Sequence, residues 1–155
     1  MPKYEIKLDL RGFKITLDEI EDAIKQGTEI GLKTAAKEIK LQEQRLIEER
    51  TGLGEYEPTT YLKHSVWIMP LEWTPNGASI SITNVAKYAT YVEHGTGKWA
   101  DDGNGRQTKW CYPLGNGEFR FTEGMPPKHF VRDTRGIYDA KVISDIIEEQ
   151  IYRLL

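Results

Sequence analysis

No part of the chain constrains the fold as strongly as residues 16–50, TLDEIEDAIKQGTEIGLKTAAKEIKLQEQRLIEER. The stretch opens on Thr16-Leu17-Asp18-Glu19, a capping box in which a threonine hydroxyl and a glutamate three residues on satisfy backbone donors of a first helical turn. Leu17, Ile20, Ile24, Gly31, Ala35, Ile39 and Leu46 then recur mostly at three or four residues, placing one apolar stripe beside a face of mixed charge. The spacing predicts a single helix from Leu17 to about Arg50, its charges a solvated face. Gly27 and Gly31 stand four apart inside it, each costing up to about 1 kcal/mol relative to alanine. They predict close packing by another backbone, either the protein's own sheet or a neighbouring subunit.

Upstream, KYEIKLDL (residues 3–10) alternates polar and apolar residues as a half-buried strand does, with a turn near Gly12. Downstream, residues 51–60 read as a loop, and HSVWIMPLEW and GASISITN as two strands joined through the turn TPNG. In NVAKYATYVEHGTG (residues 84–97), Asn84 is a candidate N-cap and Val85, Tyr88, Ala89 and Val92 share a helical face, so a short helix ends at His94. Residues 99–109 are polar and glycine-rich; KWCYPL and EFRF form a hairpin around GNG; the prolines of MPPKHF hold it extended. From about Asp133 helix returns, with Ile137, Ala140, Ile143, Ile147 and Ile151 at helical spacing. The expected fold class is α+β: a long N-terminal helix and a C-terminal helix packed on an antiparallel sheet, with a short central helix. Residues 1–155 are expected to form one domain, with 97–125 as a projecting loop or hairpin.

At 155 residues, 39% hydrophobic and 29% charged, the composition is that of a folded globular chain. The start MPKYEIKLDL lacks a cationic and an apolar leader region and the single Cys111 cannot pair within the chain, so synthesis in a cytoplasm is expected. No run approaches the roughly 20 apolar residues of a membrane span. A net charge of -3 argues against a dedicated nucleic-acid binder. Residues 98–135 hold seven Lys or Arg against five Asp or Glu, too small an excess for a DNA footprint.

YVEHGTG (residues 91–97) invites three readings: a catalytic Glu-His pair, a metal ligand set, or a phosphate loop. Phosphate loops precede helices, where backbone N–H groups face the anion, whereas these glycines follow one, and Gly95 sits where a C-cap belongs. Adjacent Glu93 and His94 point about 100° apart on a helix and cannot bond each other. His94 suits a helix C-terminus. His64 and His129 are isolated in sequence, without HExxH or CxxC spacing. DDGNG (residues 101–105) lacks the closing glutamate of a calcium loop and reads as a polar turn. Cys111, between Trp110 and Tyr112 and with no basic or histidine neighbour, reads as a packing residue. Trp67, Trp73, Trp99 and Trp110 are candidates for a sugar platform or, more commonly, for core or subunit contact. No catalytic residue, metal ligand or cofactor is assigned.

The run from Tyr88 to Thr134 resembles the signature region of the tailed-bacteriophage neck family, the gene-product-ten-like head-to-tail joining or tail-completion proteins. The family's tyrosine-alanine helix running into V-E-x-G-T is matched by Tyr88, Ala89, Val92, Glu93, Gly95 and Thr96. Its closing motif G-x-P-x-x-P-F-x-R-P-A is matched by Gly124, Pro126, Phe130 and Arg132, with His129 in place of a usual proline and Asp133-Thr134 in place of Pro-Ala. Leu62, Lys63 and Ser65 resemble the family's Leu-Arg-x-Ser approach to a strand, although the usual Thr-Gly before it is displaced to Thr51-Gly52.

The resemblance implies a virion structural protein and no reaction: a homo-oligomeric ring of six subunits or a multiple, at the virion neck, assembled in the host cytoplasm. Its implied partners are the head connector or head-closure protein and the tail-terminator or tail-tube protein, with double-stranded DNA passing through the lumen without specific binding. Net negative charge suits a conduit that must not grip phosphates. Residues 97–125, bearing Trp99, Arg106, Trp110, Phe119 and Phe121, are the expected contact surface. The rival classes are a tail-associated carbohydrate-binding module and a cell-wall hydrolase using Glu93 or Glu72 with a histidine, which would need two carboxylates facing a cleft.

Overall fold

The computed structural model describes residues 8–10, 13–52 and 57–155, with side chains at 16–52 and 60–155. The fold is α+β, with a long N-terminal helix, short helices, small antiparallel sheets and a C-terminal helix. Strands β1 (Leu8–Leu10) and β2 (Phe13–Ile15) pair antiparallel, Leu8 opposite Ile15. The rest of the expected first strand and its turn lie outside the described residues.

Helix α1 runs Leu17–Thr51, as the spacing predicts. Its capping box forms: the Thr16 N–H donates to Glu19 Oε2 at 2.8 Å and the Glu19 N–H to Thr16 Oγ1 at 3.3 Å. Helix α2 (Glu57–His64) follows, where a loop was expected through residue 60. Leu62 and Lys63 are therefore helical, and the strand starts only after Ser65, whose hydroxyl donates back to the Tyr61 carbonyl at 2.7 Å. The two expected strands are split into β3 (Val66–Ile68), β4 (Glu72–Thr74), β5 (Gly77–Ser79) and β6 (Ile82–Asn84). Pro70 has no N–H for a ladder, so pairing resolves into β3 with β6 and a tight β4–β5 hairpin, Trp73 opposite Ala78.

Helix α3 spans Ala89–His94, and strands β7 (Trp110–Pro113) and β8 (Phe119–Thr122) form a separate antiparallel pair. Asn84 does not cap α3. It ends β6, accepts the Ala86 N–H at 3.0 Å and donates to the Leu62 carbonyl at 2.9 Å, while Val85, expected on the inner face, is exposed. The single C-terminal helix expected from Asp133 is two, α4 (Phe130–Ile137) and α5 (Ala140–Leu154), because the Asp139 carboxylate accepts the Val142 N–H at 3.0 Å and starts a new helix.

The chain divides into two compact units, one from residues 1–38, 68–81 and 138–155, the other from 39–67 and 82–137. In the first, α1 packs on α5 at the two glycines. A Cβ built on Gly27 would lie 2.7 Å from Ile151 Cα, and one on Gly31 would lie 2.7 Å from Ile147 Cα. The close backbone partner is thus the C-terminal helix rather than a sheet. The core of the second unit is Leu46, Ile47, Leu62, Val66, Ala86, Ala89, Val92 and Phe130.

Candidate functional site

Because Ala89 and Val92 face the core of the second unit, the next residue on α3, Glu93, is carried inward and buried. Its carboxylate accepts the backbone N–H groups of Val131 and Arg132, both at 2.9 Å. These are donors that the first turn of α4 leaves without helical partners, and a carboxylate there also meets the positive end of the helix. The carbonyls of Val92 and Glu93 accept the Lys128 and His129 N–H groups at 2.9 and 3.1 Å. From the end of α1, Arg50 donates to the carbonyls of Lys128 (2.6 Å) and His129 (3.0 Å) and pairs with Asp133 at 2.8 Å. The Arg50 and Arg132 contacts hold the Asp133 carboxyl below the usual range, Arg132 contributing most.

The loops after α3 and before α4 are laced together in the same way. The Thr96 N–H donates to the Met125 carbonyl at 2.9 Å, the Met125 N–H to Thr96 Oγ1 at 3.0 Å, and Lys98 pairs with Glu123. Gly97 and Gly124 meet so closely that a Cβ on Gly124 would lie 2.8 Å from Gly97 Cα. Of the ten motif residues, Ala89, Val92 and Phe130 are core, Glu93 and Thr96 hold backbone, Gly95 and Gly124 adopt positive φ, and Tyr88 rests against Tyr61 at 6.2 Å. Pro126 and Arg132 are exposed. Two departures from the family pattern have structural uses. The Asp133 N–H, which proline would lack, donates to the His129 carbonyl at 3.1 Å, and buried Thr134 donates its hydroxyl to the Phe130 carbonyl at 2.6 Å. His129 itself has φ 48°, a conformation closed to the proline expected there.

Beside this junction opens a pocket of about 710 Å³, with Glu43 and Glu93 among its lining residues, joined by His94, Asp101, His129, Arg132 and Arg135. His94 and His129, isolated in sequence, both approach Asp101 Oδ2 through Nδ1, at 3.5 and 3.4 Å. Glu93 and His94 part company as their helical offset requires. Among the described residues no group of three or more His, Cys, Asp or Glu is arranged to hold a metal ion.

Glu43 is the pocket residue that sequence reasoning missed. It lies on the α1 face between Ile39 and Ile47, one acid on the apolar stripe, and that interruption is the signal that would have found it. It is 5% exposed, and no hydrogen bond or ion pair reaches its carboxylate among the described residues. Burial first, and the neighbouring Glu93 charge second, push its pKa up to about 7.

The residues of the 97–125 segment, here called the arm, fare differently from one another. In the β7–β8 pair, Cys111 opposes Phe121 and Pro113 opposes Phe119, so these four share one face, and all are exposed, Phe119 by 65% and Phe121 by 72%. Cys111 is therefore a surface thiol and not a packing residue. Trp110 is half-buried beneath Arg106, whose guanidinium carbon lies 5.6 Å from the ring centre, while Trp99 is 48% exposed with the Lys98 ammonium 4.9 Å from its ring centre. DDGNG is a polar turn, Asp102 accepting the Asn104 N–H at 3.0 Å. No helix among the described residues is long and apolar enough to cross a membrane. The chain matches no protein-family model, and neither a curated protein nor a solved structure matches it.

Proposed function

We propose that this chain is a structural subunit of a tailed-bacteriophage neck, forming an oligomeric ring that joins the head connector to the tail and lets DNA pass. The observation that carries the reading is the arm: a two-stranded hairpin whose Cys111, Pro113, Phe119 and Phe121 face is exposed. Clustered exposed aromatics beside arginine are the composition of an interface anchor. The motif residues support the same reading, because Glu93 and Thr96 spend their polar groups on backbone, as a rigid platform for the arm requires. The test is genetic and visual. A phage carrying a stop codon in this gene should yield filled heads and separate tails, added purified protein should join them, and a labelled antibody should mark the neck. Label only at the distal tail tip, or normal particles without the protein, would overturn the reading.

One observation favours a second reading, a cell-wall hydrolase. Glu43 and Glu93 line one cleft, and a carboxyl still protonated near neutrality is what a general acid needs. Both Glu93 oxygens are already engaged by amides, which leaves it a poor base or nucleophile. Release of soluble fragments from peptidoglycan by the wild type, abolished in Glu43→Gln, would establish the hydrolase. The carbohydrate-module reading lacks comparable support: the ring pair found among the described residues, Tyr61 with Tyr88, is tilted by 36° rather than coplanar.

A further inference from the structure

The Glu43 pocket holds an acid that pairs with none of the described residues. A carboxylate that is 5% exposed, faces a second buried carboxylate and has no hydrogen-bond or ion-pair partner among the described residues is costly to ionise. The pocket, at about 710 Å³, is far larger than one side chain needs, and Arg132 and Arg135, both exposed, also line it. Arg132 already pairs with Asp133 at 2.9 Å, so the complement to the site is a cationic group for the buried acid, flanked by an anionic group for Arg135.

The arm of this same chain carries that arrangement. Arg120 on β8 is exposed and has no partner among the described residues, whereas the other basic residue of the hairpin, Lys109, lies 4.0 Å from Glu123. Glu118, exposed just before β8 and two residues from Arg120, accepts the Asn116 side-chain amide through Oε2 at 3.0 Å and is free of any ion pair among the described residues. Arg120 opposes Tyr112, on the face opposite Phe119 and Phe121. Resting on the ring reading above, we infer that Arg120 from the arm of a second copy of this chain occupies the pocket and pairs with Glu43, while its Glu118 meets Arg135. The contact is heterologous, arm to pocket, and such contacts propagate head to tail and form a ring where the rotation between neighbours closes. It leaves the Phe119 and Phe121 face of the arm free for the ring above or below. The raised Glu43 pKa supports the pairing, since an arriving guanidinium would give this carboxyl the partner it does not have among the described residues.

Sedimentation velocity on the full chain tests this with Glu43→Gln and Arg120→Gln, one isosteric and one at an exposed position, each checked for native circular dichroism. Wild type should self-associate, and each variant should do so at least about tenfold more weakly. Mixing the two variants leaves one intact arm-to-pocket contact per pair, so the mixture should form dimers and stop there. Association of both variants at wild-type strength would sink the pairing while leaving the ring reading in place. The same holds if only one substitution weakens association, or if the wild type stays monomeric at about 1 mM. Failure of neck labelling in the particle would instead count against the ring reading itself.

Discussion

Gly95 follows α3 with φ 76° and ψ 175°, a region that is essentially glycine's alone. A capping glycine was expected there, but the ψ value differs from a left-handed cap, because the chain turns extended at once to bond Met125 through Thr96. A Cβ at this position would also stand 2.8 Å from Pro127 N and 2.9 Å from Met125 O. Gly95→Val should therefore lower unfolding free energy by about 2 kcal/mol or more, strain and clash adding, as read by denaturant titration. An unchanged midpoint would refute the assignment. At Glu43 the folded pKa of about 7 exceeds the ordinary 4.5, so the folded state holds the extra proton between those values. Stability contributed by this site is full below about pH 4.5, falls as pH rises, and is lost above about pH 7. Glu93, Asp101, His94, His129, Arg132 and Arg135 line the same pocket, so the difference between wild type and Glu43→Gln isolates the one carboxyl. The variant should be the more stable protein at pH 8 and lack this slope; identical pH profiles would rule the site out as its source.

Among the elements, the α1–α5 crossing carries the clearest consequence. Gly31→Ala in an open helix would gain about 1 kcal/mol of helix propensity. Here the added methyl would fall 2.7 Å from Ile147 Cα, and backbone cannot rotate aside as a side chain can. We expect a net loss of about 1 to 3 kcal/mol from forced separation of the helices, and a gain in thermal stability would show that they do not pack this closely. The close approach was legible from two glycines in a helical stretch. Its partner was not, since a glycine states only that something is near. The same limit explains the C-terminal region. Ile137 and Ala140 continue the spacing of Ile143, Ile147 and Ile151, yet the Asp139 side chain competes for backbone N–H groups and divides the run.

For the whole molecule, assembly is the property that the exposed aromatics bear on. Trp99→Ala removes a ring that is 48% exposed, so stability should change by no more than about 0.5 kcal/mol while head-to-tail joining is lost. A variant that unfolds, or that joins heads to tails as well as wild type, would remove Trp99 from the contact surface. The chain's local order was written in its sequence: the capping box, the long helix, the TPNG and GNG turns and the inward Val92 all follow from interactions within a few residues. What depended on distant residues was decided only by the tertiary structure. Glu93 finds its partners at Val131 and Arg132, His94 and His129 converge on Asp101, and Arg50 reaches the start of α4. Glu43 became a buried acid because packing closed around one face of α1 and, among the described residues, gave its carboxyl no partner. Periodicity records which way a side chain points, while its partners and its solvation are properties of the residues that the fold brings to meet it.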